Sequence, residues 1–264
     1  MPAEQLPTGG TVKSIVPEIR TLLGVDVIDS ARTAPHLRPQ VPAVLETLLS
    51  AGMDAVGISR DDAVDAQYTG DGWLYAFPIG LLGRVVDLGQ ALDGIVAEHN
   101  KWNKLELRLR LAVDAGPLPD TQGFHAANIS RARLLEAPAF KLLARECMAA
   151  RPDGSMSTAM IMSDIAYRTT FDGAYAKVAR AADFASLAVT NKEFTARAWV
   201  AVPGFDARTL AEMAEEDGTA ASAPVEESEP TRGNRVKNTI EKVSGHAVQA
   251  DSITGGIIFG RGPR

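Results

Sequence analysis

The sequence has 264 residues, 45% hydrophobic and 23% charged, with a formal net charge of −6 at pH 7. That is apolar material for a sizeable core, as one large domain or one domain with appendages; the mild charge gives no reason to expect nucleic acid or a membrane surface as partner. The single cysteine, Cys147, excludes an internal disulfide and fits a reducing cytoplasm, the expected location; its expected role is that of a small apolar residue.

Residues 1–10 carry Glu4 and two prolines where an export signal needs a basic and then an apolar stretch. No run approaches the ~20 apolar residues of a membrane span. The histidines His36, His99, His125 and His246 are scattered without metal-ligand spacing.

Residues 19–28 (IRTLLGVDVI) are a short β-prone apolar run broken by Asp29-Ser30, which predicts a buried strand. Val41, Val44, Leu45, Leu48 and Leu49 recur at the spacing of one helix face over residues 41–53. Residues 66–69 and 73–77 flank Gly70-Asp71-Gly72 and predict a hairpin. Residues 81–102 carry the longest helical stripe, through Leu82, Val85, Val86, Leu88, Leu92, Ile95 and Val96.

Leu105, Leu107, Leu109, Leu111 and Val113 alternate with polar or small residues, predicting a strand with one buried face, ended at Gly116-Pro117. A helix over 129–150 is expected to be disturbed at Pro138. Residues 159–162 predict a strand, 165–169 a helical turn, and 187–189 with 197–202 a final pair of strands. The order β-α-β-β-α-β with helices on one face is an α+β, ferredoxin-like pattern with extra terminal elements. Residues 211–231 (AEMAEEDGTAASAPVEESEPT) are acidic and nearly free of large apolar side chains, so 209–233 is expected to be a disordered linker. Residues 234–264 regain β-branched residues and glycines but are too few to form a core alone.

Two acids draw attention. Asp26 lies inside the first predicted strand, where a carboxylate is costly without a cation or donor. Asp71 lies at the hairpin tip between glycines that let a ligand approach the backbone. Two carboxylates converging beside an open sheet suit a divalent cation and phosphoryl chemistry. The residues by themselves equally allow a strand-end acid and an ordinary turn residue.

The series LLGVDVIDSA (22–31), TGDGWLYAFP (69–78), LRLRLAVDAGPL (107–118), RLLEAPAFKLLA (133–144), MIMSDIAYRTTF (160–171) and NKEFTARAWVAVPG (191–204) resembles, in order, the class III adenylyl/guanylyl cyclase homology domain, in the branch common in actinobacteria. The resemblance assigns residues 15–208 to such a domain. It implies conversion of a nucleoside triphosphate to a 3′,5′-cyclic nucleotide and pyrophosphate at a homodimer interface. Two Mg²⁺ or Mn²⁺ ions would be held by Asp26, Asp71 and the backbone carbonyl of Val27. The purine-reading position falls on Gln67, an amide that both donates and accepts. Arg133 heads the family's arginine segment. Its asparagine, four residues earlier, falls on Ile129, with Asn128 one step off, about 100° around a helix. Asp29-Ser30 replace the glycine and aromatic that normally follow the first aspartate. Arg131 reads as a surface cation, Arg108 and Arg110 as solvent-facing strand positions, and Trp73, Trp102 and Trp199 as packing residues. A diguanylate-cyclase-like relative is disfavoured, because no GGDEF-like hairpin is present.

Residues 234–259 resemble the C-terminal amyloid signalling motifs of multicellular bacteria through Val248-Gln249, Ile253, Gly255-Gly256 and the closing Ile257-Ile258-Phe259, with Asp251 where the motif has glycine. This implies cross-β assembly with a partner signalling protein carrying a matching motif. It also frames the alternative to an enzyme, an adaptor on a degenerate cyclase fold.

Overall fold

The structure is a computed structural model, and it describes residues 17–119, 125–151 and 156–216. The tail positions Val248, Gln249, Ile253 and Ile257 lie outside the described residues.

The elements are β1 (Ile19–Val27), α1 (Val41–Ala55), β2 (Asp65–Tyr68), β3 (Gly72–Pro78), α2 (Leu82–Trp102), β4 (Leu109–Pro117), α3 (Ala126–Leu135), α4 (Pro138–Ala150), β5 (Thr158–Ser163), α5 (Asp164–Asp172), β6 (Ala185–Asn191), β7 (Phe194–Ala201) and α6 (Ala207–Glu216). The strands form one sheet in the order β2-β3-β1-β4-β5-β7-β6. Strands β1 to β4, with α1 and α2, make the expected ferredoxin-like βαββαβ unit, in which β1 pairs antiparallel with both β3 and β4. Strand β5 joins parallel to β4 across the α3–α4 connection, as a crossover requires. The β6–β7 hairpin closes the sheet against β5.

Helices cover both faces. Leu45, Leu49, Val85, Leu88 and Leu92 of α1 and α2 pack on Leu23, Val25, Leu109, Leu111 and Val113. On the other face Leu135, Phe140, Leu143, Cys147, Leu210 and Ala214 pack on Ala112, Ile161, Leu187 and Val200. The alternation in β4 therefore marks two buried faces, not one. Arg110, Ala112 and Asp114 are buried with their neighbours, because α3 lies over that side. Leu105 and Leu107 are buried but precede the strand; Asn100 takes both backbone groups of Leu107, accepting from its N–H at 2.9 Å and donating to its carbonyl at 2.8 Å.

The 129–150 helix is two helices. Pro138 opens α4 at its first turn, where its missing N–H costs nothing. Helix α6 was not anticipated and occupies the first residues of the expected linker: Leu210 is fully buried and Ala214 nearly so, which anchors 207–216 to the domain. Its apolar positions are mostly alanines, so composition obscured the amphipathic spacing.

Among the tryptophans, Trp199 stacks on Tyr167 with ring centroids 3.9 Å apart, and Trp73 packs against the α1/α2 core. Trp102 departs from the expected packing role: it is 79% exposed and donates to Glu98 at 2.7 Å.

Candidate functional site

Asp26 is the penultimate residue of β1, with Gly72 of β3 and Arg110 of β4 as its lateral partners. Asp71 immediately precedes β3, and its backbone carbonyl accepts from Val27 N–H at 3.2 Å. The hairpin approaches β1 this closely only because residue 72 is glycine, since a Cβ there would lie 2.1 Å from the Val25 carbonyl oxygen. Gly70, with φ +103°, turns the chain before it.

The carboxyl of Asp71 accepts from Ser30 Oγ at 2.8 Å, and the Asp26 carboxylate accepts from the Arg110 guanidinium. Burial pushes the Asp26 carboxyl above the ordinary carboxylate range. Arg110 pulls it back, and the neighbouring charge of Asp71 pushes it further up. Asp71 is thus close enough for its charge to raise the cost of ionising Asp26.

Beyond Asp26 the turn bends through Asp29, at φ 54°, and a small cavity opens between this turn and α4. Ile28, Asp29, Arg110, Lys141 and Arg145 line it. Lys141 pairs with Glu136, and Arg145 lies 3.6 Å from Asp29. Arg110 also lies 3.9 Å from Glu136, and its Nε is buried without a hydrogen-bond partner.

Among the described residues no three His, Cys, Asp or Glu side chains converge. The residues therefore do not make an all-protein cage. Two carboxylates, one near the end of β1 and one in the turn before the adjacent β3, do fit a hard, oxygen-seeking cation that keeps water or substrate oxygens as its remaining ligands. Asp26, Asp71 and the carbonyl of Val27 are the groups that would hold it.

The other anticipated residues are dispersed. Gln67 is exposed on the edge strand β2 and donates to Asp65 at 2.8 Å. Asn128 is half-buried on α3, and Ile129 beside it is 40% exposed. Arg133 pairs with Glu193 at 2.8 Å, and its carbonyl accepts from Asn191 at 3.0 Å, so it is tied to the β6–β7 turn at the far edge of the sheet. Within one chain, no hydrogen bond or ion pair among the described residues joins Asn128 or Arg133 to Asp26 or Asp71.

Two arginines differ from their sequence reading. Arg110 is 8% exposed rather than solvent-facing. Arg131 is 3% exposed, donates to the Tyr75 carbonyl at 3.1 Å, and has its pKa pulled down to about 10 by burial. Ser30, Lys141 and Arg145 carried no sequence signal beyond the four-residue spacing that puts 141 and 145 on one helix face. For Arg110 the signal was present: a cation beside a strand acid needs only the register to pair them.

No family model matches the chain, and no curated protein matches it. Solved structures that match include nucleotide cyclase domains. The guanylate cyclase domain of RhGC from Catenaria anguillulae, in complex with GTP, aligns at 15% identity over 72% of this chain and 98% of that one, with a TM-score of 0.43. An adenylate/guanylate cyclase/hydrolase from Silicibacter pomeroyi aligns at 18% identity over 71% and 98%, with a TM-score of 0.46. A monomeric guanylyl cyclase domain of the RhoGC fusion protein from Blastocladiella emersonii aligns at 15% identity over 70% and 95%, with a TM-score of 0.40. Among the described residues no helix is long and apolar enough to cross a membrane.

Proposed function

We propose that the domain is a metal-dependent nucleotide cyclase that converts a nucleoside triphosphate to a 3′,5′-cyclic nucleotide and pyrophosphate in bacterial signalling or defence. The observation that carries this reading is that Asp26, near the end of β1, and Asp71, in the turn before the adjacent β3, stand side by side, with Val27 N–H donating to the Asp71 carbonyl. Arg110, the partner of Asp26, rims a cavity together with Lys141 and Arg145. Two Mg²⁺ or Mn²⁺ ions on the two carboxylates and the Val27 carbonyl would supply positive charge at the ribose 3′ oxygen and the α-phosphate. The chain's own part is position and electrostatics. The acids fix where the charged centre lies, and the glycine-flanked turn leaves the approach open. The lining cations accept developing negative charge.

In this reading Gln67 meets the base through an amide that both donates and accepts, so the base preference stays open. Asn128 and Arg133 serve across a twofold homodimer interface rather than within their own chain. The cytoplasm is the proposed location. The acidic segment after α6 tethers a tail that assembles with a partner signalling protein.

A second reading, a cyclase-fold adaptor without turnover, is favoured by Ile129, which presents an apolar, 40% exposed side chain where the resemblance places an asparagine. Incubation of the full chain with each of the four NTPs and Mn²⁺ separates the two. Cyclic product that disappears in Asp71→Ala supports the enzyme; no product and no pyrophosphate from any NTP leaves the adaptor.

A further inference from the structure

A larger cavity, of about 720 Å³, opens on the α2 face of the sheet. Thr158 in its wall lies in the same lateral row as Val27, two strands from β1, on the face opposite to that of Asp26 and Arg110. Its apolar lining is Val86, Met160, Ala179, Phe184, Ala201 and Val202. The methyl end of Met160 lies against Gly89 of α2, where a Cβ would stand 2.4 Å from it. Further along the same helix, a Cβ at Gly94 would meet no atom within 4 Å, so this part of the wall stays open. Small-molecule sites have this size and combine an apolar lining with a few placed polar groups.

We infer that this cavity binds a small organic cation, a primary amine on an aryl or alkyl body, with Asp93 of α2 as its anchor. The inference does not depend on the reading of Asp26 and Asp71 as metal ligands.

Asp93 lines the cavity with one oxygen engaged and one unused. The backbone N–H groups of Ser157 and Thr158 both donate to its Oδ1 at 2.9 Å, and Thr158 Oγ1 reaches the same atom at 3.3 Å. These bonds fix the half-buried side chain, while among the described residues none donates to Oδ2 and no cation pairs with it. Burial pushes the carboxyl above the ordinary carboxylate range, a cost that a bound cation offsets.

The other charges at the rim already have their work. Asp183 accepts from the Arg180 backbone N–H at 3.1 Å and from its guanidinium at 3.0 Å. Asp206 is exposed and accepts from Thr209 N–H at 2.8 Å at the start of α6. Arg151 donates to the Gly204 carbonyl at 2.6 Å and lies 5.2 Å from the centre of the Phe205 ring. The lining itself sets Asp93, Asp183 and Asp206 against Arg180, so it is net acidic above an apolar floor.

That combination selects the ligand. An organic anion meets repulsion, and a neutral isostere gains the floor but leaves the Oδ2 charge unanswered. A hydrated metal ion gains nothing from Val86, Met160 or Phe184. An amine with an apolar body uses both, donating a charge-assisted hydrogen bond to Oδ2 while its body leaves water.

The full chain, labelled at its methionine methyl groups, is titrated with phenethylamine, phenethyl alcohol and hydrocinnamate, followed by NMR and calorimetry. Phenethylamine should shift the Met160 methyl resonance, leave that of Met53 on α1 in place, and bind at least about ten-fold more tightly than the alcohol or the carboxylate. Asp93→Asn keeps an oxygen for Ser157 and Thr158 and sets an NH₂ where Oδ2 stood. It should lose about ten-fold or more of the affinity for the amine while that for the alcohol stays unchanged, a split that a merely structural role would not give. Equal binding of the three compounds, an unmoved Met160 methyl, or full amine affinity in folded Asp93→Asn would overturn the inference. If that variant does not fold, the three compounds on the unaltered chain decide it.

Discussion

Asp26 and Arg110 are direct lateral partners on adjacent antiparallel strands, and the guanidinium donates to the carboxylate across the ladder. The acid is thereby neutralised by its neighbouring strand rather than by solvent. With both side chains nearly buried, removing one partner strands the other's charge. Asp26→Asn should cost roughly 3 kcal/mol in urea unfolding at pH 7, while Asp26→Asn with Arg110→Gln should recover more than half of that loss. Equal destabilisation by the single and double variants would show that the pair is not coupled.

Asp71 presents the opposite case. It sits in a turn, bonded through Ser30 Oγ, and supports no core contact. Asp71→Ala should change the unfolding free energy by less than about 1 kcal/mol yet abolish Mn²⁺ binding seen by paramagnetic resonance. A variant that keeps its Mn²⁺ would remove Asp71 from the metal site.

Asp87 of α2 holds the loop before β6 in place. Its buried carboxylate accepts from the backbone N–H groups of Lys177, Val178 and Ala179 at 2.8, 3.0 and 2.9 Å. Asp87→Ala leaves these donors unpaired and should cost on the order of 3 kcal/mol, with amide exchange accelerated first at 177–179. Uniform acceleration across the sheet instead would mean that the loop is not held independently by this residue.

Cys147 is buried on α4, and burial pushes its thiol pKa from the ordinary 9.0 up to about 12. A neutral thiol in the folded chain and an ionisable one in the unfolded chain fix the sign. The stabilising contribution is complete below pH 9 and is lost as the pH rises from there towards about 12. Native protein at pH 8 should therefore resist an aromatic disulfide reagent, and the thiol should titrate fully in 6 M guanidinium. Rapid labelling of the native chain would contradict the burial.

Periodicity was a sound guide where a segment's own pattern decides its state. The stripe of α2, the β1 run and the Gly70-Asp71-Gly72 hairpin all formed within a residue or two of their expected bounds. It failed where a second partner decides. The polar side of β4 looked solvated until α3 covered it, and α6 looked like linker until Leu210 and Ala214 met the β-sheet.

The site divides along the same line. The sequence by itself determined that two aspartates stand at a strand end and a glycine-flanked turn, because strand, turn and glycine preferences are local and additive along the chain. Only the tertiary structure decided what those acids meet. Register set Asp26 against Arg110, and the packing of α4 over the Asp29 turn delivered Lys141 and Arg145 from more than a hundred residues away. Electrostatics depends on distance in space and on exclusion of water, and neither is written in the spacing of residues along a chain.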